Sequence, residues 1–154
     1  IVMYKALVLF LVINFAALGI GGFFTGPGVE SDWYIGLLKA PWTPPGWVFG
    51  AAWTSIMICF SIYLAWLSQR INNKGAFYLL FALQFFLNIS WNIIFFYFHQ
   101  VALGMIAISS LTALMLVFFF RYWSRIKAYS LLILPYIIWL FIATSLNVYI
   151  WVMN

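Results

Sequence analysis

The residues of this chain that could do chemistry are indoles and carboxamides, not acids and bases. Gln84, Asn88, Trp91, Asn92 and Phe95 recur at i, i+4, i+7, i+8 and i+11, which puts them on one helical face. Pro135, Trp139, Ala143 and Asn147 repeat at i, i+4, i+8 and i+12 and form a second face, in which Ala143 leaves room. Trp53 and Asn14 lie in two further apolar stretches. A carboxamide in hydrocarbon costs several kcal/mol unless it is hydrogen-bonded, so these amides must look into a bundle or a cavity. An indole adds a flat stacking face and one N–H donor. An apolar cavity walled by aromatics and holding a few amides suits a flat, mostly apolar ligand. The same amides would also serve as interhelical glue, at about 1 kcal/mol or less per bond. The residues alone leave both uses open, and a structural membrane protein with a filled core is the third alternative.

Other chemistries lack their groups. The chain has two acidic residues, Glu30 and Asp32, in one loop, and no Ser/His/acid triad. His99 falls in a tight turn and reads as a surface residue. Cys59 is the single cysteine, so there is no intrachain disulfide and no cysteine-based metal site. No metal or cofactor is expected. No Asp, Glu, Lys or Arg lies deep in an apolar stretch, which argues against an ion-coupled pump. No basic run is dense enough to bind nucleic acid.

The elements that must position these groups follow from composition. Of the 154 residues, 68% are hydrophobic and 6% charged, against about 25% charged in a soluble domain. That makes the chain an integral membrane protein, and its length suits a single helical bundle. Five stretches reach the roughly 20 apolar residues a crossing needs, at about residues 4–25, 45–67, 76–98, 101–123 and 128–152. The expected fold is therefore all-α, one domain of five transmembrane helices, with a loop over residues 26–44. The first stretch lacks a small-residue cleavage pattern and reads as a retained span. Lys5, Arg70, Lys74, Arg121, Arg125 and Lys127 fall on one side and Lys39 alone on the other. The positive-inside rule then places the N-terminus in the cytoplasm. Gly22-x-x-x-Gly26 and Gly46-x-x-x-Gly50, with Ala102, Gly104 and Ala107, predict close helix approach or a homodimer seam. Pro135 predicts a kink in the fifth span.

Residues 33–53 carry three of the five prolines and four of the nine tryptophans. The prolines predict a rigid, extended connector over Ala40–Pro45, with Pro45 as the first residue of a helix. Such a connector either joins two spans or covers a pocket. Trp33, Trp42, Trp47 and Trp151 suit one membrane interface, and Trp66 and Trp123 the other. Trp53, Trp91 and Trp139 fall too deep for either belt.

Three motifs together resemble one family. They are Trp33-Tyr34, Leu38-Lys39 and Trp42-x-Pro44-Pro45-x-x-x-Phe49-x-x-x-Trp53; then Gln84-x-x-x-Asn88-x-x-Trp91 with Phe95-Phe96; then Pro135-Tyr136-x-x-Trp139-x-x-x-Ala143-Thr144-x-Leu146-Asn147. In order and spacing they are similar to the translocator protein family, also called tryptophan-rich sensory proteins or peripheral-type benzodiazepine receptors. The resemblance covers nearly the whole chain. It implies a five-helix, homodimeric bundle with a pocket under the first loop. The implied ligands are protoporphyrin and other tetrapyrroles, with sterols and isoquinoline- or benzodiazepine-type compounds for animal members. The implied role is sensing or transport of such ligands in a lipid bilayer, here a bacterial cell membrane. An alternative is light-dependent oxidative degradation of bound porphyrin, with Trp53 and Trp139 as the implied photochemical residues. The implied binding positions are Tyr34, Pro41, Trp53, Gln84, Asn88, Trp91, Asn92, Trp139, Ala143 and Asn147. The chain departs from the family pattern at Ala40, where a proline is usual. It also has no basic residue after Tyr149, as the animal sterol motif requires.

Overall fold

In a computed structural model, residues 2–154 are described. The helices are α1 (Val2–Glu30), α2 (Asp32–Ile35), α3 (Gly46–Ser68), α4 (Lys74–Asn92), α5 (Val101–Arg121), α6 (Trp123–Ile126) and α7 (Leu134–Met153). Ile93–Tyr97 continues α4 in π-helical geometry, and Lys127–Ile133 leads into α7 as a 3₁₀ helix. Five of these helical runs are long and apolar enough to cross a membrane. They close into a ring: α1 packs on α3 and α4, α4 on α5, α5 on α7, and α7 on α3. No strand occurs among the described residues.

Four boundaries differ from the sequence expectations, each for a physical reason. α1 does not stop at Gly26-Pro27-Gly28 but runs to Glu30 with Pro27 inside it. Without water to take up a broken backbone hydrogen bond, an apolar segment stays helical through residues that would end a soluble helix. Ser31 ends it instead: its Oγ donates to the Gly28 carbonyl at 2.6 Å and accepts from the Tyr34 N–H at 3.2 Å. The connector Ala40–Pro45 is not extended. The Thr43 N–H donates to the Ala40 carbonyl at 3.0 Å, closing a turn with Pro41 at the position a fixed φ favours. Pro45 is the N-cap of α3, so the helix begins at Gly46, one residue later than expected. Pro135 does not kink the last span, because it lies in the first turn of α7, where its missing N–H is harmless. The turn of direction falls at Lys127, whose φ is 46°.

The interior is filled at the basic end and hollow at the other. Phe60, Tyr63, Phe77, Phe118 and Tyr136 are all fully buried and pack ring on ring, with Phe60–Tyr136 centroids 5.2 Å apart. Tyr63 places its hydroxyl 3.1 Å from the Phe118 carbonyl, and the Tyr136 hydroxyl accepts from Gln84. A smaller cluster of Phe95, Phe96 and Ile150 closes the far end, against Trp33, Tyr34 and Leu37.

Of the glycines predicted to let helices approach, Gly104 does so within the chain and the two Gly-x-x-x-Gly pairs do not. A Cβ on Gly22, Gly26, Gly46 or Gly50 would meet no neighbouring atom within 4 Å, so neither pair packs against another helix of the same chain. Close contact falls at Gly21 and Gly28 as well as at Gly104, against Asn92, Phe96 and Phe95 respectively. Gly22→Ala and Gly50→Ala are therefore expected to leave thermal unfolding in detergent unchanged, or to raise stability by about 0.5–1 kcal/mol each. A clear loss in either variant would restore the packing role.

Candidate ligand-binding site

A cavity of about 470 Å³ occupies the hollow half. α1 contributes Ala17, Gly21, Gly22 and Thr25; α3 contributes Phe49, Gly50 and Trp53; α7 contributes Trp139 and Ala143. From α4 and its π-helical extension come Asn88, Trp91, Asn92 and Phe96. The connector between α1 and α3 covers it with Tyr34, Lys39, Thr43 and Pro44. That connector is tied down at three places. The Trp42 Nε1–H donates to Ser145 Oγ at 3.0 Å. Asn154 brackets Leu38, accepting from its N–H and donating to its carbonyl, both at 3.0 Å. Trp33 stacks on His99 with centroids 4.1 Å apart and planes 11° from parallel. His99 is exposed, as its reading as a surface residue expects, and it has a stacking partner in Trp33; its φ is 57°.

Seven of the ten sequence-derived positions meet around this cavity: Tyr34, Trp53, Asn88, Trp91, Asn92, Trp139 and Ala143. Three do not line it. Pro41 is exposed in the turn, and Pro44 lies against the cavity in its place. Gln84 sits below, its Nε2 donating to the Tyr136 hydroxyl at 2.7 Å. Asn147 is engaged on both sides of its amide: Oδ1 accepts from Trp91 Nε1 and Nδ2 donates to the Val101 carbonyl, both at 3.0 Å. Asn14 also lies outside the lining and donates to Ser61 Oγ at 2.9 Å. For these three amides the interhelical use holds.

The amides on the cavity wall differ from these. Asn92 donates to the Asn88 carbonyl at 2.9 Å and accepts from Thr25 Oγ1. The Asn88 side chain makes no hydrogen bond to another described residue, although it is 6% exposed. The Trp139 Nε1–H is buried and has no acceptor among the described residues. Burial pushes the Tyr34 phenol above its ordinary value, so it stays protonated and able to donate. Lys39 is the one cation on the lining, its Nζ 4.6 Å from the centroid of the Tyr34 ring.

Sequence reasoning missed most of the α1 wall. Ala17, Gly21 and Thr25 line the cavity at i, i+4 and i+8, on one helical face, with Gly22 and Gly26 beside them. That run of small residues was the available signal.

Fold and cavity define the class: a multi-pass helical membrane protein with a covered, aromatic-walled hollow among its helices. The profile of the TspO/MBR family matches residues 7–152, and the chain belongs to that family. Among its relatives, the tryptophan-rich protein TspO of Archaeoglobus fulgidus is 36% identical over 94% of this chain and 91% of its own length. Protein CrtK of Rhodobacter capsulatus is 34% identical, covering 90% of this chain and 87% of its own length. The human translocator protein is 29% identical over 84% of this chain and 78% of its own.

Proposed function

We propose that this protein is a membrane receptor or carrier for tetrapyrroles such as protoporphyrin IX and for similar flat apolar ligands. The observation that carries the reading is the cavity itself: about 470 Å³, within the roughly 300–1,000 Å³ typical of small-molecule sites. Trp53, Trp91 and Trp139 wall it, while the Asn88 amide and the Trp139 N–H have no protein partner. A macrocycle would stack on the indoles and accept from these donors at its polar edge. Lys39, at the connector, would meet the carboxylates that tetrapyrroles carry on one side. The name translocator protein, borne by the human relative, favours movement of a ligand over storage. Photo-oxidative degradation has less support, since neither carboxylate nor the histidine lines the cavity to manage protons.

Titrating protoporphyrin IX into the purified protein is expected to quench tryptophan emission saturably, because three of the nine indoles lie on the cavity wall. Quenching that rises linearly without saturation, as from free porphyrin in detergent, would remove this reading.

A further inference from the structure

A second hollow, of about 280 Å³, lies at the opposite, basic end of the bundle. It is lined by Ile71, Asn72 and Asn73 from the link between α3 and α4, and by Arg121, Tyr122 and Arg125 at the end of α5 and in α6. We propose that this hollow is an anion site that seats a phosphate group.

The charge distribution requires an outside partner. The chain's two carboxylate side chains, Glu30 and Asp32, sit at the other end of the bundle, next to the connector. Arg121 and Arg125 are exposed and have no counter-charge among the described residues. Arg121 lies over the Tyr122 ring, 5.6 Å from its centroid. Arg70 lies outside the hollow, over the Trp66 ring at 3.9 Å, and donates to the Trp66 carbonyl. The polar groups of the hollow are also open. Asn73 is engaged in capping α4, but the Asn72 side chain makes no hydrogen bond to another described residue. Tyr122 is buried, and its hydroxyl is without a partner among the described residues.

Two guanidinium groups in one concavity suit phosphate more than any other common anion. Each presents a planar fork of donors that matches two phosphate oxygens, and charge-assisted bonds are about twice as strong as neutral ones. The depth is also right, because the hollow lies where spanning helices end and phospholipid headgroups begin. Basic pockets between helices at this face take phosphate heads. The source is either an anionic phospholipid or a soluble phosphate compound. Either would bridge the α3–α4 link to the end of α5, through Ile71 and Tyr122, which both belong to the main core.

The test is thermal unfolding of the full chain in dodecyl maltoside, titrated at constant ionic strength with three probes. They are short-chain phosphatidylglycerol, phosphatidylcholine of the same tails, and inorganic phosphate. A saturable rise in midpoint with phosphatidylglycerol, and a smaller one or none with phosphatidylcholine, is expected. A rise with phosphatidylglycerol alone assigns the source to lipid; a rise with inorganic phosphate as well assigns it to the phosphate itself. Arg125→Gln is expected to raise the half-saturating concentration about tenfold, the loss of one charge-assisted contact. Arg70→Gln removes the same charge outside the hollow and should change it by less than about twofold. If Arg125→Gln gives no cooperative melt, Asn72→Ala takes its place, and its half-saturation should rise as well. No saturable rise with any probe overturns the proposal. Equal rises with the two lipids and none with phosphate, or equal effects of Arg125→Gln and Arg70→Gln, do the same, as does an unchanged half-saturation in the substitute variant.

Discussion

Gly28→Ala is expected to destabilise the protein by about 3 kcal/mol, at the upper end of what overpacking a helical interface costs. The added methyl would stand 2.6 Å from both the Cβ and the Cδ1 of Phe96. Neither atom is the free end of a flexible chain. Cβ is fixed by the backbone, and the ring is held by Phe95 at 4.8 Å and Tyr34 at 5.7 Å between centroids. The clash must therefore part α1 from the π-helical segment, and with it the far wall of the cavity. Unfolding in a denaturing detergent titration would measure the loss. Pairing the change with Phe96→Gly, which removes both the Cβ and the ring, separates steric conflict from any other cause, since residues in contact deviate from additivity. If the conflict is the cause, Gly28→Ala should cost far less in the Phe96→Gly background than alone. Full additivity would mean that Gly28 matters for some other reason.

The second large effect concerns the indoles. Trp53→Phe combined with Trp139→Phe is expected to weaken protoporphyrin binding about thirtyfold, roughly 2 kcal/mol from two stacking surfaces reduced and two indole N–H donors lost. Both side chains line the cavity from different helices, α3 and α7. Each also has an aromatic neighbour of its own, Trp53 with Tyr136 at 5.8 Å and Trp139 with Phe49 at 5.4 Å. Phenylalanine keeps these edge contacts, so the thermal midpoint should hardly move. Isothermal titration or porphyrin absorbance would give the affinity. Unchanged affinity in a folded double variant would remove the tryptophans from the site.

Much of this fold could be read from residues, because the membrane imposes a single rule. Apolar runs of the right length must be helices, and basic residues gather at the ends of alternate ones. What could not be read depends on partners. Gln84 and Asn88 share one helical face in the sequence, and nothing local distinguishes them. The first donates to Tyr136 and keeps only its Oε1 without a partner among the described residues, whereas the second meets open space. The two glycine pairs find no neighbour within the chain for the same reason. Spacing gives the face a glycine occupies, but only the neighbouring helix decides whether that face is approached. Pro27 shows the opposite limit, a residue with a strong local preference overruled by a solvent that cannot replace a lost hydrogen bond. The π-helical segment had no sequence signal at all. The Phe98 N–H reaches back to the Ile93 carbonyl at 3.1 Å, and the wider turn shifts the phase of everything after Asn92. Phe95 and Phe96 are both buried within this segment.

The bundle is solid around Phe60, Tyr63 and Phe118 and empty around Trp53 and Trp139. Close-packed interiors resist compression, so any change in the spacing of the helices would fall at the hollow end and leave the aromatic end in place.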